Sequence, residues 1–253
     1  MSHTETPQKL RNSIEQLYRV FSDHRPHPAP EGCPCCATEE HKIQLASKPL
    51  RELTDDDLYE FYSSALLTWG TVEDFKWFLP RLLELAATFE IVMIDWEILL
   101  GKLRLGEWKT WKNSEKEAID DFLAASWQSC LESGAGSFAV DSLLCGLGRA
   151  VDDLAPYLLI WSDCRLKTGY QRLDEFIDEN FHTLVKGKGL SNGFWNDAEP
   201  QMTQVMEWLT NKRTLKNLEQ IYLDQPDAPF SEALSNAANK LSHLQATLRS
   251  LDR

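Results

Sequence analysis

Apolar positions along this chain recur at intervals of three and four, not two. Leu10, Ile14, Leu17, Tyr18 and Phe21 fall on one face of a helix over 7–22, because a period near 3.6 brings such positions to the same side. The stretch "HRPHPAPEGCPCC" follows, and its prolines rule out helix by removing amide donors. Leu58, Phe61, Tyr62, Ala65 and Leu66 make the next stripe. Thr54 stands where it caps that helix, Asp57 completes a capping box, and Gly70 is the natural stop. Thr71 and Asp74 repeat the device for a helix to about residue 87, with Phe75, Phe78, Leu79, Leu82 and Leu83 apolar. Pro80 lies inside that pattern and predicts a kink or a boundary.

A further run over 89–105 ends at Gly106. Ser114 with Glu117 opens a helix whose inner face is Ile119, Phe122, Leu123, Trp127 and Cys130, and "ESGAGS" ends it. Shorter apolar segments follow at 138–150 and 153–163, the second with Pro156 tolerated in its first turn. More helices are predicted at 170–186, 197–210, 212–223 and 230–250. Alternation of the strand type is missing, and Asn192-Gly193 has no strand-like flanks. The expectation is an all-α fold of about ten helices packed as antiparallel pairs, arranged as a short solenoid-like array in a single helical domain, 1–253. Nine tryptophans, scattered from Trp69 to Trp208, serve best as anchors between helical layers.

Charge changes the picture. The chain of 253 residues carries a formal net charge of −13. From Glu115 to Asp163 there are nine acids, opposed only by Lys116 and Arg149. A field of that sign repels phosphate backbones, so direct nucleic-acid binding is not expected, and it attracts a basic protein. Many of these acids have a simpler explanation. Asp55, Asp56, Asp57, Glu115, Glu117, Asp152 and Asp153 lie near helix starts, where a carboxylate complements the helix dipole for roughly 0.3–1 kcal/mol each. On the helix after Ser114, however, Glu117 and Asp121 share the face opposite the apolar one, so that face is exposed and negative. The N-terminus lacks the apolar run of a signal peptide, and no apolar stretch approaches the roughly 20 residues of a membrane span. With six cysteines, three of them bunched, a secreted disulfide framework is not indicated. A cytoplasmic protein without membrane contact is expected.

The bunched cysteines are the main candidate for chemistry. "EGCPCCATEEH" places three cysteines and a histidine in eleven positions. Cys33 and Cys36 have the two-residue gap that turns two thiolates onto one ion, and Pro34 fixes the turn. His41, on the first turn of a helix starting near Thr38, is a third candidate ligand, and His27 or His24 a fourth. A zinc knot within 24–41 is therefore available. The competing reading makes the cysteines small buried hydrophobes. Glu179 and His182 have the i, i+3 spacing of a di-iron ligand pair, but no second copy accompanies them, and a surface pair is the better reading. Phosphate-loop, H-E-x-x-H and G-x-S-x-G patterns are absent.

The segment "KPLRELTDDDLYEFYSSALLTWGTVEDFKWFLPRLLEL", with "EGCPCC" before it, resembles a group of uncharacterised bacterial proteins. The shared features are the C-P-C-C run, the L-x-x-L-T-x-x-D-L helix start and T-W-G-x-x-x-D-F-K-x-F-L-P-R. The likeness covers residues 31–86 well and the rest weakly; it implies a bacterial, helical, intracellular protein and carries no activity. Acidic helical proteins also recur among bacterial immunity proteins that neutralise secreted toxins, an analogy of charge and fold class. The expected function is an immunity-type inhibitor that binds a basic toxin domain directly, through Glu117, Asp120, Asp121, Asp152 and Asp153. The alternatives are a helical scaffold with a structural zinc held by Cys33, Cys36, His41 and His27, or a metal-dependent enzyme with Glu39 or Glu40 as proton acceptor. No catalytic residue is assigned.

Overall fold

Helix starts in this chain are written by short oxygen-bearing side chains, and the computed structural model shows the predicted bonds. It describes residues 7–24, 30–35, 37–88, 93–133 and 140–251. The Thr54 hydroxyl accepts the Asp57 amide at 3.2 Å while the Asp57 carboxylate accepts the Thr54 amide at 2.8 Å. Thr71 and Asp74 make the same reciprocal pair, at 3.3 and 2.8 Å. Each exchange satisfies amides that a helix start leaves without a partner.

Among the described residues twelve α-helices result: α1 (Gln8–Val20), α2 (Glu39–Ala46), α3 (Asp55–Ser64), α4 (Val72–Thr88), α5 (Trp96–Leu105), α6 (Asn113–Glu132), α7 (Val140–Ala150), α8 (Ala155–Ser162), α9 (Lys167–Val185), α10 (Glu199–Thr210), α11 (Lys212–Asp224) and α12 (Ser231–Leu251). Among the described residues there is no strand; isolated bridges join Gly32 and Ala65 to Trp69. The fold is all-α, as the periodicity predicts. No described helix is long and apolar enough to cross a membrane.

α5 starts at Trp96, later than the run over 89–105 predicts, and three further readings differ from the expectation, each for a tertiary reason. α3 stops at Ser64, short of Gly70. There the buried Lys102 ammonium donates to Ser63 O at 3.1 Å and Ala65 O at 2.8 Å, taking carbonyls that a longer helix would use. Leu66 then turns left-handed, with φ of 63°. α4 runs through Pro80 without a break. Proline's fixed φ suits a helix, and burial of Phe78, Leu79, Leu82 and Leu83 on either side offsets the lost bond. α6 opens at Asn113, and the cap is Glu115, which accepts the Lys112 amide at 3.0 Å. Ser114 and Glu117 do not form it.

The chain divides into two compact units, Met1–Ser126 and Trp127–Arg253, the division falling within α6. In the first, α4 is central and packs on α1, α3 and α5. Its core holds Leu17, Phe21, Leu58, Phe61, Phe75, Phe78 and Leu82. Phe61 meets Phe78 at 4.5 Å and presents an edge contact to Trp69 at 5.5 Å. Each such side chain contributes roughly 1.5–3 kcal/mol by leaving water.

In the second unit α9 and α12 make the most extensive pairing, α11 lies on α12, and α10 touches α7, α8, α11 and α12. Trp127 donates its indole proton to Tyr157 O at 2.9 Å. Trp161 makes an edge contact with Trp127 at 5.3 Å and stacks on Trp208 at 5.2 Å. Asn180 is fully buried, and its amide is fully used. It donates to Phe176 O at 2.9 Å and Asp141 at 3.3 Å, and accepts from Ser191 N and Oγ at 2.7 and 3.1 Å. That amide ties α9 to α7 and to the loop after 186. The tryptophans thus act as core anchors, with Trp69, Trp108, Trp127 and Trp195 among the largest fully buried side chains.

Candidate functional site

The cysteine loop is seated by its backbone on the connection between α3 and α4. Cys33 N donates to Thr68 O at 2.7 Å and Gly70 N to Glu31 O at 2.8 Å. The Trp69 indole donates to Pro30 O at 3.0 Å. Gly32 has to be glycine here, since a Cβ would lie 2.8 Å from Ala37 Cβ and 2.9 Å from Thr68 O. On this footing Cys33 and Cys35 are both exposed, with their Sγ atoms 2.8 Å apart. The approach of Cys33 to Cys35 is one that the C-x-x-C spacing argument does not consider.

Of the four expected metal ligands, Cys36 and His27 lie outside the described residues. His41 sits in the first turn of α2, its amide donating to Thr38 Oγ1 at 3.3 Å and its ring stacked 6.1 Å from Trp69. Among the described residues no three His, Cys, Asp or Glu side chains are grouped to hold an ion. His24, the other candidate for fourth ligand, is engaged elsewhere.

His24 closes a ring of ionisable side chains, buried at Glu115, His24 and Lys76 and open at Glu73, that no sequence motif announces. Its Nδ1 faces Glu73 at 2.5 Å and its Nε2 faces Glu115 at 2.7 Å. Lys76 Nζ lies 3.2 Å from the second oxygen of each carboxylate. Both ring nitrogens thus face carboxylate oxygens, and a histidine and a lysine together bridge the two glutamates. The Glu115 side chain is 1% exposed, His24 7% and Lys76 8%, while the Trp111 ring lies 4.7 Å from the ammonium. Burial pushes the Glu115 carboxyl up, but hydrogen bonds from His24, Lys76 and the Lys112 amide outweigh it and hold the group below its ordinary value. Glu73 is lowered in the same way by His24 and Lys76. The signal was in the periodicity: Ala118, Ile119 and Phe122 stand three, four and seven positions after Glu115. Leu79, Pro80 and Leu83 stand likewise after Lys76. Both charges sit on inward faces.

The acidic residues expected at a partner surface lie on two different units. On α6, Glu117, Asp120 and Asp121 are exposed. Asp120 pairs with Lys109 at 3.4 Å, a contact between half-exposed groups that is worth little. Among the described residues, neither Glu117 nor Asp121 meets a base. In the second unit Asp152 and Asp153 are exposed just before α8. The Asp153 carboxylate accepts the Ala155 amide at 2.8 Å, as a helix-start acid does, and the Asp152 carbonyl accepts from Gln201 at 3.0 Å. Leu159, on the same helix, is 60% exposed, and Asp163 is exposed at its end. Sequence reasoning overlooked that leucine, because α8 reads as apolar throughout.

Glu179 and His182 lie exposed on α9. Burial, then the charges of Asp141 and Glu175, raise the Glu179 carboxyl above its ordinary value. No protein-family model matches the chain, and neither does a curated protein or a solved structure.

Proposed function

We propose that this chain is an acidic helical binding protein, an immunity-type inhibitor that neutralises a basic toxin domain by covering its cationic face. One observation carries the reading. On α6 the inward acid, Glu115, is matched by the protein's own Lys76 and His24, while the outward acids Glu117 and Asp121, one turn apart, meet no base among the described residues. Unmatched carboxylates on a rigid helix project a field that steers a cationic partner and speeds its association. In the second unit Leu159 is exposed, and Asp152, Asp153 and Asp163 are exposed near the two ends of its helix, a mix of apolar and acidic groups that suits a protein contact. A toxin that acts on nucleic acid must carry positive charge to engage phosphates, and an acidic surface competes for the same face.

The test is co-expression with the product of the gene immediately upstream. The chain should restore growth when that product is toxic, and charge reversal at Glu117, Asp120, Asp121, Asp152 and Asp153 should abolish rescue while leaving helix content unchanged. A toxic neighbour against which the chain gives no protection would defeat the proposal, as would a charge-reversed variant that protects equally well.

A further inference from the structure

The thiols of the seated loop belong to none of the roles above. Cys33 and Cys35 are exposed, and their sulfurs lie 2.8 Å apart. Two thiolates on one tetrahedral zinc stand about 3.8 Å apart, from Zn–S bonds of roughly 2.3 Å. The observed approach is shorter than that, and nearer the roughly 2.05 Å of a sulfur–sulfur bond. The loop itself builds the approach. Pro34, between the two cysteines, has its own φ fixed, Ala37 N donates to Cys33 O at 2.8 Å, and Gly32 lets the backbone pass close to Thr68 O and Ala37.

We propose that Cys33 and Cys35 form a redox-active dithiol that closes to an intramolecular disulfide by exchange with a low-molecular-weight disulfide such as oxidised glutathione. One cysteine thiolate attacks a glutathione sulfur, forming a mixed disulfide and expelling the first glutathione thiolate. The second cysteine thiolate attacks the first cysteine's Sγ; the mixed disulfide breaks and the second glutathione thiolate leaves. Two electrons pass from the cysteine pair to glutathione, and the two cysteine protons end on the released thiols. Exposure distinguishes these thiols from the buried Cys145 and from Cys130, whose thiol burial pushes up to about 12 and so keeps unreactive.

Full-length protein is equilibrated in buffers of increasing oxidised-to-reduced glutathione ratio, quenched with an alkylating agent and mapped by peptide mass. The expected result is loss of two hydrogens on the peptide carrying Cys33 and Cys35, independent of protein concentration and retained in Cys36→Ser. Cys35→Ser should instead stall with one glutathione on Cys33, its circular dichroism unchanged. Free thiols at the most oxidising ratio, separate glutathione adducts on both cysteines, or a disulfide that disappears in Cys36→Ser would each overturn the assignment.

Discussion

Glu115 Oε1 stands 2.7 Å from His24 Nε2 across 91 positions of chain, inside a ring completed by Glu73 and Lys76. A buried charge that loses its partner is far costlier than an exposed one. Glu115→Ala should therefore destabilise the protein by about 3–5 kcal/mol. Glu73→Ala, whose side chain is 64% exposed, should cost less than about 1 kcal/mol. The double variant His24→Ala, Glu115→Ala should lose less than the sum of the single losses, since each removes the other's reason to be satisfied. Urea unfolding of the parent, His24→Ala, Glu115→Ala, Glu73→Ala and the double variant decides this; additive losses would mean that the ring is not coupled.

Acid should weaken the fold through the capping and ring carboxylates. Burial alone would raise the Asp57 carboxyl, but bonds from Lys48, the Thr54 amide, Gln44 and the Thr54 hydroxyl hold it well below the usual carboxylate range. Glu73 and Glu115 are lowered as well. A lowered folded value means that the stabilisation is fully present above the unfolded value, near 4, and is lost as pH falls through the folded one. Urea midpoints measured between pH 5 and pH 3 should fall, and Asp57→Asn should show a shallower fall.

Lys102 predicts a slope of the same sign at alkaline pH. Burial pushes its ammonium down to about 8, against about 10.4 for an unfolded lysine. Between those values the unfolded chain holds the proton and the folded one does not, so stability rises with pH across that window. The difference in urea midpoint between the parent protein and Lys102→Met should grow in the parent's favour from pH 8 to pH 10. A difference that stays constant would place the ammonium in contact with water.

Gly148 makes room for Trp195 in the second unit. A Cβ there would lie 2.7 Å from Trp195 Cζ3 and 3.3 Å from Gln201 Cβ, and Trp195 is 1% exposed. Gly148→Ala should cost about 1–3 kcal/mol by overpacking, in spite of alanine's better helix propensity. A stabilised variant in thermal unfolding would show that the indole moves aside freely.

Much of the fold was legible because caps and stripes are local. Thr54 with Asp57 and Thr71 with Asp74 mark helix starts in four residues, and Ile119, Phe122, Leu123, Trp127 and Cys130 are all buried as their spacing requires. The misread boundaries were set from far along the chain. α3 ends where Lys102, 37 positions from Ala65, takes its carbonyl, and Glu115 caps α6 while serving His24. The candidate site was harder. Spacing points to Cys33 with Cys36, which lies outside the described residues, and is silent on the approach of Cys33 to Cys35. His24 reads as one more residue of a proline-rich loop, although its partners lie on α4 and α6.

The face-to-face contact of Trp161 with Trp208, at 5.2 Å and an angle of 27°, has an optical consequence. Two indole transition dipoles so close and not parallel split their absorption and rotate light as a coupled pair. Both rings belong to the second unit, so that couplet reports its integrity alone.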